Sequence, residues 1–172
     1  ATRGRLRRPS GVPRRLSVSM PDRLAFLLGT WRGTGRGDYP TIDAFEYREE
    51  VVFGSVPTKP FVTYVQRTTD PDGAPLHAES GYLRSPTETT AELVVAQPTG
   101  VAEVHAGTLA GTALVLASTG VLLTPTAKEV TAVGRRLEVT GAVLRYELDM
   151  AAVGQDLQFH LEAELTKVST EY

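Results

Sequence analysis

The chain of 172 residues contains no cysteine and only three histidines. Without cysteine there can be no disulfide, no zinc–thiolate cage and no iron–sulfur cluster. The histidines are too scattered to suggest a zinc triad, no serine lies in a nucleophile elbow, and no HExxH motif is present. The sequence therefore disfavours hydrolytic enzymes. The lack of disulfides is also what a reducing, cytoplasmic compartment would favour.

Long hydrophobic runs are missing as well. No segment approaches the roughly 20 apolar residues of a membrane-spanning helix, and the run 114–123 is interrupted by Ser118, Thr119 and Gly120. The composition, 41% hydrophobic and 22% charged, is ordinary for one globular domain of this length. We therefore expect a single compact domain with no membrane contact.

Acidic residues are absent from the first 20 positions, which carry six arginines: Arg3, Arg5, Arg7, Arg8, Arg14 and Arg15. Removing these six charges from the formal net charge of −2 leaves −8 for the rest. With so few large apolar residues, the sequence predicts a disordered basic tail over 1–19 and a folded domain over 20–172. Such a tail also suits an acidic partner or organelle targeting, but we do not expect nucleic-acid binding.

Beyond the tail, short apolar runs of period two alternate with turn-forming groups. The predicted strands cover 30–37, 45–53, 61–68, 78–84, 91–97, 101–107, 113–119, 129–136, 137–140 with 143–150, and 156–166. Because such close spacing leaves no room for crossover helices, the sheet must be antiparallel, and closure would remove exposed edges. Leu24, Leu27 and Leu28 predict a short helix over 22–28 that plugs one end. The predicted fold is all-β: an antiparallel β-barrel of about ten strands with a short N-terminal helix.

The segment 29–42 is rich in glycine and contains the single tryptophan, Trp31. If it is extended, four glycines share one face with Trp31: Gly29, Gly33, Gly35 and Gly37. Glycine inside a strand marks a bend or the close approach of another backbone, and a barrel needs strong coiling where it closes. A dinucleotide-binding loop is disfavoured because no third glycine opens a helix. The segment therefore predicts the opening strand of a barrel, with Trp31 as a core anchor.

The pattern Gly-x-Trp-x-Gly-x-Gly over 29–35, followed by Tyr-Pro-Thr-Ile at 39–42, resembles the opening of the nitrobindin family. Nitrobindins are small β-barrel haem proteins related in shape to lipocalins and fatty-acid-binding proteins. Further matching blocks keep the order of the family across residues 22–167: 59–61, 76–84, 126–130, 144–148, 150–155 and 157–161. The resemblance implies a ferric haem b protein that isomerises peroxynitrite to nitrate through a Lewis-acidic iron. It also implies nitric oxide as a further small ligand and leaves room for a homodimer.

Three residues would bind the haem if the resemblance holds. Cysteine being absent, the protein can offer only His, Tyr or Met as an iron ligand, and the resemblance implies that His160, on the last strand, is the axial one. Alternation alone places His160 with the polar set that includes Glu162 and Glu164, which favours an exposed strand histidine. The two carboxylates would then need solvent or a bulge to turn them away from a haem.

The resemblance also places Thr41 and Lys128 against the haem, at its edge or its propionates. A lysine ammonium meeting a propionate is chemically sensible, but Thr41 could equally end a turn and Lys128 could be a solvated loop charge. His77, on the same face as Glu79, and His105 are interpreted as structural. No side chain is expected to act as a catalytic base.

Two other functions stay open at this point. The first is a lipocalin-like carrier that holds a small hydrophobic ligand without haem. The second is a binding module whose arginine tail docks to an acidic partner.

Overall fold

The computed structural model describes residues 20–168, and within them ten antiparallel strands form a closed barrel. The strands are β1 Gly29–Tyr39, β2 Ile42–Ser55, β3 Val62–Thr69, β4 Pro75–Arg84, β5 Thr90–Ala96, β6 Val101–Ala110, β7 Ala113–Leu123, β8 Val130–Thr140, β9 Val143–Ala152 and β10 Gln158–Lys167. Each strand pairs with its neighbours along the chain, and β1 closes the barrel on β10. The predicted all-β barrel is confirmed, while the predicted tail over 1–19 lies outside the described residues.

Several strand ends lie a few residues from the predicted ones, and one strand assignment and the helix are wrong. Residues 137–140 belong to β8, not to the following strand, because Thr140 pairs with Val143 around a tight turn in which Gly141 has a φ of +60°. In place of a helix over 22–28 there is one α-helical turn, α1 Met20–Arg23, followed by a 3-10 turn at Ala25–Leu27. So short a segment gains little from helical hydrogen bonds and is held by packing instead.

The helical segment closes one end of the barrel. Leu24 and Leu27 are fully buried there. The Trp31 indole N–H donates to the Leu27 carbonyl over 2.6 Å, and the Arg23 guanidinium donates to the Ser85 carbonyl over 3.0 Å. No helix within residues 20–168 is long and apolar enough to cross a bilayer.

The opposite end, which we call the mouth, carries five loops: 40–41, 70–74, 97–100, 124–129 and 153–157. Strand β1 ends at the mouth. One of its faces consists of glycines, and neighbouring groups approach this face closely. A side chain at Gly33 would collide with the Glu164 carbonyl, and one at Gly35 with the Tyr47 ring. The glycines are therefore required by contacts across the closing seam of the barrel.

Candidate functional site

The barrel encloses a cavity of about 420 Å³ that opens at the mouth. This volume lies in the range of small-molecule and cofactor sites. Much of the wall is aliphatic or aromatic, and includes Val51, Phe53, Leu83, Leu93, Leu114, Leu116, Val133, Leu144, Leu148 and Leu161. Such a lining favours a large, flat, apolar ligand.

His160 lines this cavity, and a β-bulge places it there. The register between β9 and β10 shifts so that Phe159 pairs with Asp149 while Leu161 pairs with Leu148. His160 is thus the extra residue of the bulge, and both His160 and Leu161 line the cavity. The prediction from simple alternation, which grouped His160 with the outward polar residues, is wrong because the bulge resets the inward and outward phase.

Beyond the bulge, the alternation of side chains along β10 places Glu162 and Glu164 on the outer surface. Glu162 pairs with Arg36 over 2.5 Å, and Glu164 pairs with Arg145 over 2.7 Å. Phe159 also lies on this side, with the Arg36 guanidinium 5.6 Å from the centre of its ring. The carboxylates beside His160 therefore do not enter the cavity.

The orientation of the His160 ring is set from β1. Its Nδ1 lies 3.3 Å from the Asp38 carbonyl oxygen, which is exposed to it by a register shift between Gly37 and Tyr39. The Tyr39 ring meets the imidazole edge-on, with centroids 5.1 Å apart. Burial lowers the pKa of His160 below its ordinary value; the Asp38 carbonyl opposes this shift, and His77 adds to it. The neutral ring can donate Nδ1–H to the carbonyl and keep an unprotonated Nε2, the arrangement that metal-binding histidines use.

Tyr39 is itself held firmly. Its side chain is buried, and its hydroxyl accepts the Ala152 backbone N–H over 2.9 Å and donates towards the Met150 carbonyl at 3.2 Å. These bonds tie β1 to the end of β9. The support of His160 therefore comes from strands on both sides of the bulge.

Thr41 and Lys128 lie at the mouth, in the β1–β2 turn and the β7–β8 loop respectively. Both side chains are exposed, and neither is part of the cavity wall. The structure brings them to the same end of the barrel as His160, with no direct contact between either residue and the imidazole within residues 20–168.

A buried ion cluster forms another part of the wall. The Arg135 guanidinium donates to both oxygens of Glu79, over 2.8 and 2.9 Å, and to Glu103 over 2.7 Å. The Tyr64 hydroxyl donates to Glu79 over 2.9 Å, and the His105 Nε2 lies 2.7 Å from Glu103. Although burial favours the protonated acid, the Arg135 charge together with the hydrogen bonds from His77 and Arg135 outweighs it and holds the pKa of Glu79 well below its ordinary range. Both terminal nitrogens of the guanidinium are therefore paired with buried carboxylates, while its Nε has no hydrogen-bond partner within residues 20–168.

Sequence reasoning missed this cluster. The available signal was phase, since Arg135 stands at an inward position between Val133 and Leu137 on β8. The two histidines interpreted as structural each lie beside a glutamate of the cavity wall. His105 is fully buried beside Glu103, and His77 lines the cavity with its Nε2 3.5 Å from Glu79.

A second buried group surrounds Glu49. The Gln66 amide donates to Glu49 Oε1 over 2.8 Å, and the Tyr146 hydroxyl donates to Oε2 over 2.7 Å. The Tyr47 hydroxyl lies 2.8 Å from that of Tyr146. Burial raises the pKa of Glu49 to about 7, in spite of the hydrogen bonds that it accepts. No cation forms an ion pair with Glu49 in the described part of the chain.

Residues 22–167 match the family described as the THAP4-like, heme-binding β-barrel domain. The chain belongs to this family, the nitrobindins. A Mycobacterium marinum protein named peroxynitrite isomerase 2 is 52% identical over 153 residues, covering 86% of this chain and 94% of that protein. A Nocardia farcinica protein named peroxynitrite isomerase is 48% identical over 149 residues, covering 84% and 88%.

The nitrobindin barrel also matches solved structures. The crystal structure of Rv2717c from Mycobacterium tuberculosis superposes with a TM-score of 0.81 at 47% identity, covering 87% of this chain and 97% of that one. A phycobiliprotein lyase from Guillardia theta has a TM-score of 0.64 at 10% identity, a likeness of fold alone. As a nitrobindin the chain is a haem-binding barrel, and an apolar cavity bordered by an imidazole with a free Nε2 fits that group.

Proposed function

We propose that this nitrobindin is a ferric haem b protein that isomerises peroxynitrite to nitrate, with His160 as the axial ligand of the iron. The observation that carries the proposal is the β10 bulge, which turns His160 into the cavity while Glu162 and Glu164 stay outside. Relatives that share about half of the aligned residues are named peroxynitrite isomerases. When bound, ferric haem supplies a Lewis-acidic iron with one open coordination position.

The residues of the chain would bind and orient the haem. The Asp38 carbonyl holds the Nδ1 proton of His160, and the aliphatic wall excludes water from the haem face. The cavity wall already contains Glu49, Glu79 and Glu103 against the one guanidinium of Arg135, so this interior disfavours the two propionates. At the mouth, Thr41 and the Lys128 ammonium would bind them instead. No protein side chain is required as a general base.

We extend the proposal to nitric oxide as a second small ligand, to a homodimer, and to a cytoplasmic location, which the absence of cysteine favours. Sedimentation of the purified protein tests the homodimer directly.

A haem-free carrier of a small hydrophobic ligand would use the same apolar cavity. A carboxylate on its ligand would have to lie at the mouth, because the guanidinium in the cavity wall is already paired with Glu79 and Glu103. The absorption spectrum separates the two functions. Addition of ferric haem should produce a Soret band that saturates at one haem per chain.

Measurements of activity also distinguish the haem-dependent isomerase from the haem-free carrier. Peroxynitrite decay followed by stopped flow should accelerate in proportion to haem loading, nitrate should be the product, and cyanide should inhibit by competing for the open position on the iron. Decay that is equally fast without haem, or indifferent to saturating cyanide, would favour the carrier.

The proposed role of Lys128 has its own test. Lys128→Ala should weaken haem binding by roughly 2- to 5-fold, and the loss should shrink at high salt, because an exposed ion pair contributes about 0.2–1 kcal/mol. Lys59→Ala is the matched control, since Lys59 is also exposed but lies in the loop at the closed end. Equal haem affinities for the two variants would remove Lys128 from the site.

A further inference from the structure

Two tyrosines that line the cavity, the buried Tyr64 and the half-buried Tyr146, each donate a hydrogen bond to a buried glutamate. The Tyr146 hydroxyl donates to Glu49 over 2.7 Å, and the Tyr64 hydroxyl donates to Glu79 over 2.9 Å. Both distances allow direct proton transfer along the bond. Because both side chains border the same cavity, a small oxidant that enters it meets two phenol–carboxylate pairs of nearly equal geometry.

The two carboxylates differ in their counter-charge. Both oxygens of Glu79 accept hydrogen bonds from the Arg135 guanidinium. The hydrogen-bond partners of Glu49 are the neutral Gln66 amide and the neutral Tyr146 phenol. A carboxylate neutralised by a guanidinium is a poor proton acceptor, whereas a buried one without a cation takes up a proton readily.

We propose that Tyr146 is a redox-active tyrosine, which gives an electron to a one-electron oxidant in the cavity while its phenolic proton passes to Glu49. With nitrogen dioxide as the oxidant, the O–H bond of Tyr146 breaks and a new O–H bond forms at Glu49 Oε2. Nitrogen dioxide is reduced to nitrite, and the products are a tyrosyl radical and a neutral Glu49. The Tyr47 hydroxyl, 2.8 Å from that of Tyr146, is placed to donate a hydrogen bond to the radical oxygen.

The proton must leave Tyr146 together with the electron. Burial raises the pKa of the Tyr146 and Tyr64 hydroxyls well above the ordinary value, and the neighbouring carboxylates add to the shift. Neither phenol is ionised beforehand at neutral pH. Oxidation is therefore favourable only where the hydrogen-bonded carboxylate can accept the proton, which selects Tyr146 over Tyr64.

The pH dependence follows from the groups around Glu49. The ionisable groups that face it are Tyr47 on its own strand, Tyr64 on β3, Glu79 on β4, Arg135 on β8 and Tyr146 on β9. The β1 residue in register with Glu49 is Gly33, which carries no charge. Only the ionised form of Glu49 can accept the proton, and its pKa is about 7. Formation of the radical should therefore increase as pH rises through about 7.

The experiment exposes the full chain, without added haem, to nitrogen dioxide generated from peroxynitrite in bicarbonate buffer. Freeze-quenched samples are examined for a tyrosyl radical by electron paramagnetic resonance. Above the background from exposed tyrosines such as Tyr82, the radical signal should vanish in Tyr146→Phe, persist in the matched Tyr64→Phe, and fall by at least about 10-fold in Glu49→Gln. Because no haem is present, the result is independent of the proposed isomerase activity.

Glu49→Gln keeps the size of the side chain and its hydrogen bond to Gln66. Gln66 Oε1 has no hydrogen-bond partner, so a flipped Gln66 can accept from the new amide. Nitration of the exposed Tyr82 reports the oxidant dose and should be equal in all variants. A radical signal that stays above this background in Tyr146→Phe, or that is as strong in Glu49→Gln as in the parent, would overturn the proposal.

Discussion

At the scale of single residues, the site depends on how each polar side chain is paired. His160 keeps one nitrogen on the Asp38 carbonyl and the other free, whereas Arg135 has two buried carboxylates as partners. Glu49 lacks a cation and is held by neutral donors. Residues of the same cavity wall are therefore prepared for different chemistry: metal ligation, charge neutralisation and proton uptake.

Removal of the imidazole should abolish haem binding. His160→Ala should lose the stoichiometric Soret band in a haem titration, while far-UV circular dichroism stays that of the parent, because His160 makes no buried ion pair. His77→Ala is the control, as it also removes a cavity histidine and should retain haem. His105→Ala is a poorer control, since it would remove one of the buried hydrogen bonds of Glu103 and leave that carboxylate with Arg135 and Gln97. An unchanged Soret spectrum in His160→Ala would refute the axial assignment.

The raised pKa of Glu49 should appear in the stability of the protein. Since the folded-state pKa is about 7 against an ordinary 4.5, the protonated acid is favoured by folding. The contribution of protonated Glu49 to the free energy of unfolding is therefore complete below pH 4.5 and is lost as pH rises through about 7. The loss is on the order of 3 kcal/mol.

Urea unfolding of Glu49→Gln measures this loss. The variant should match the parent near pH 4.5 and exceed it in free energy of unfolding above about pH 7. The same substitution at Glu46, exposed on the same strand, should give no such difference. Parallel curves for Glu49→Gln and the parent over this range would mean that Glu49 titrates normally.

At the scale of strands, the sequence predicts the regular parts of the barrel and fails where pairing is irregular. Apolar alternation and turn residues are local, so the ten strands could be found without a partner strand. The bulge at His160 could not, because it is defined only by the register of β10 against β9. The Arg135 cluster could not be predicted for a similar reason, because the partners of Arg135 come from other strands, β4 and β6.

The closing seam between β1 and β10 offers a test of strand packing. Gly33→Ala should cost about 1–3 kcal/mol or more, because the added carbon would collide with the Glu164 carbonyl and the Leu165 backbone, which cannot rotate away. Gly120→Ala is the control, since Gly120 is also in a strand but faces open space. Thermal unfolding of the two variants gives the comparison. Equal midpoints would show that the seam does not require glycine at 33.

At the scale of the whole molecule, ion pairs lie on the outside of the barrel and apolar side chains close one of its ends. The outer surface carries ion pairs between neighbouring strands, including Arg32–Glu50, Arg84–Glu92 and Arg136–Glu147. The helical segment closes one end with the buried Leu24 and Leu27, which leaves the mouth as the open end of the barrel within residues 20–168. His160, Thr41 and Lys128 all lie at that end, far from the plug.

The basic segment 1–19 should be dispensable for the barrel and its haem. The ten described strands lie after Met20, and the barrel closes within residues 20–168, so this closure is complete without residues 1–19. A chain shortened to begin at Met20 should therefore melt within a few degrees of the parent and bind haem with the same stoichiometry, as measured by calorimetry and Soret titration. The matched control shortens the chain further, to begin at Gly29, which removes the buried Leu24 and Leu27 and should lower the melting temperature strongly. If the first truncation were as damaging as the second, the arginine segment would have to pack on the barrel.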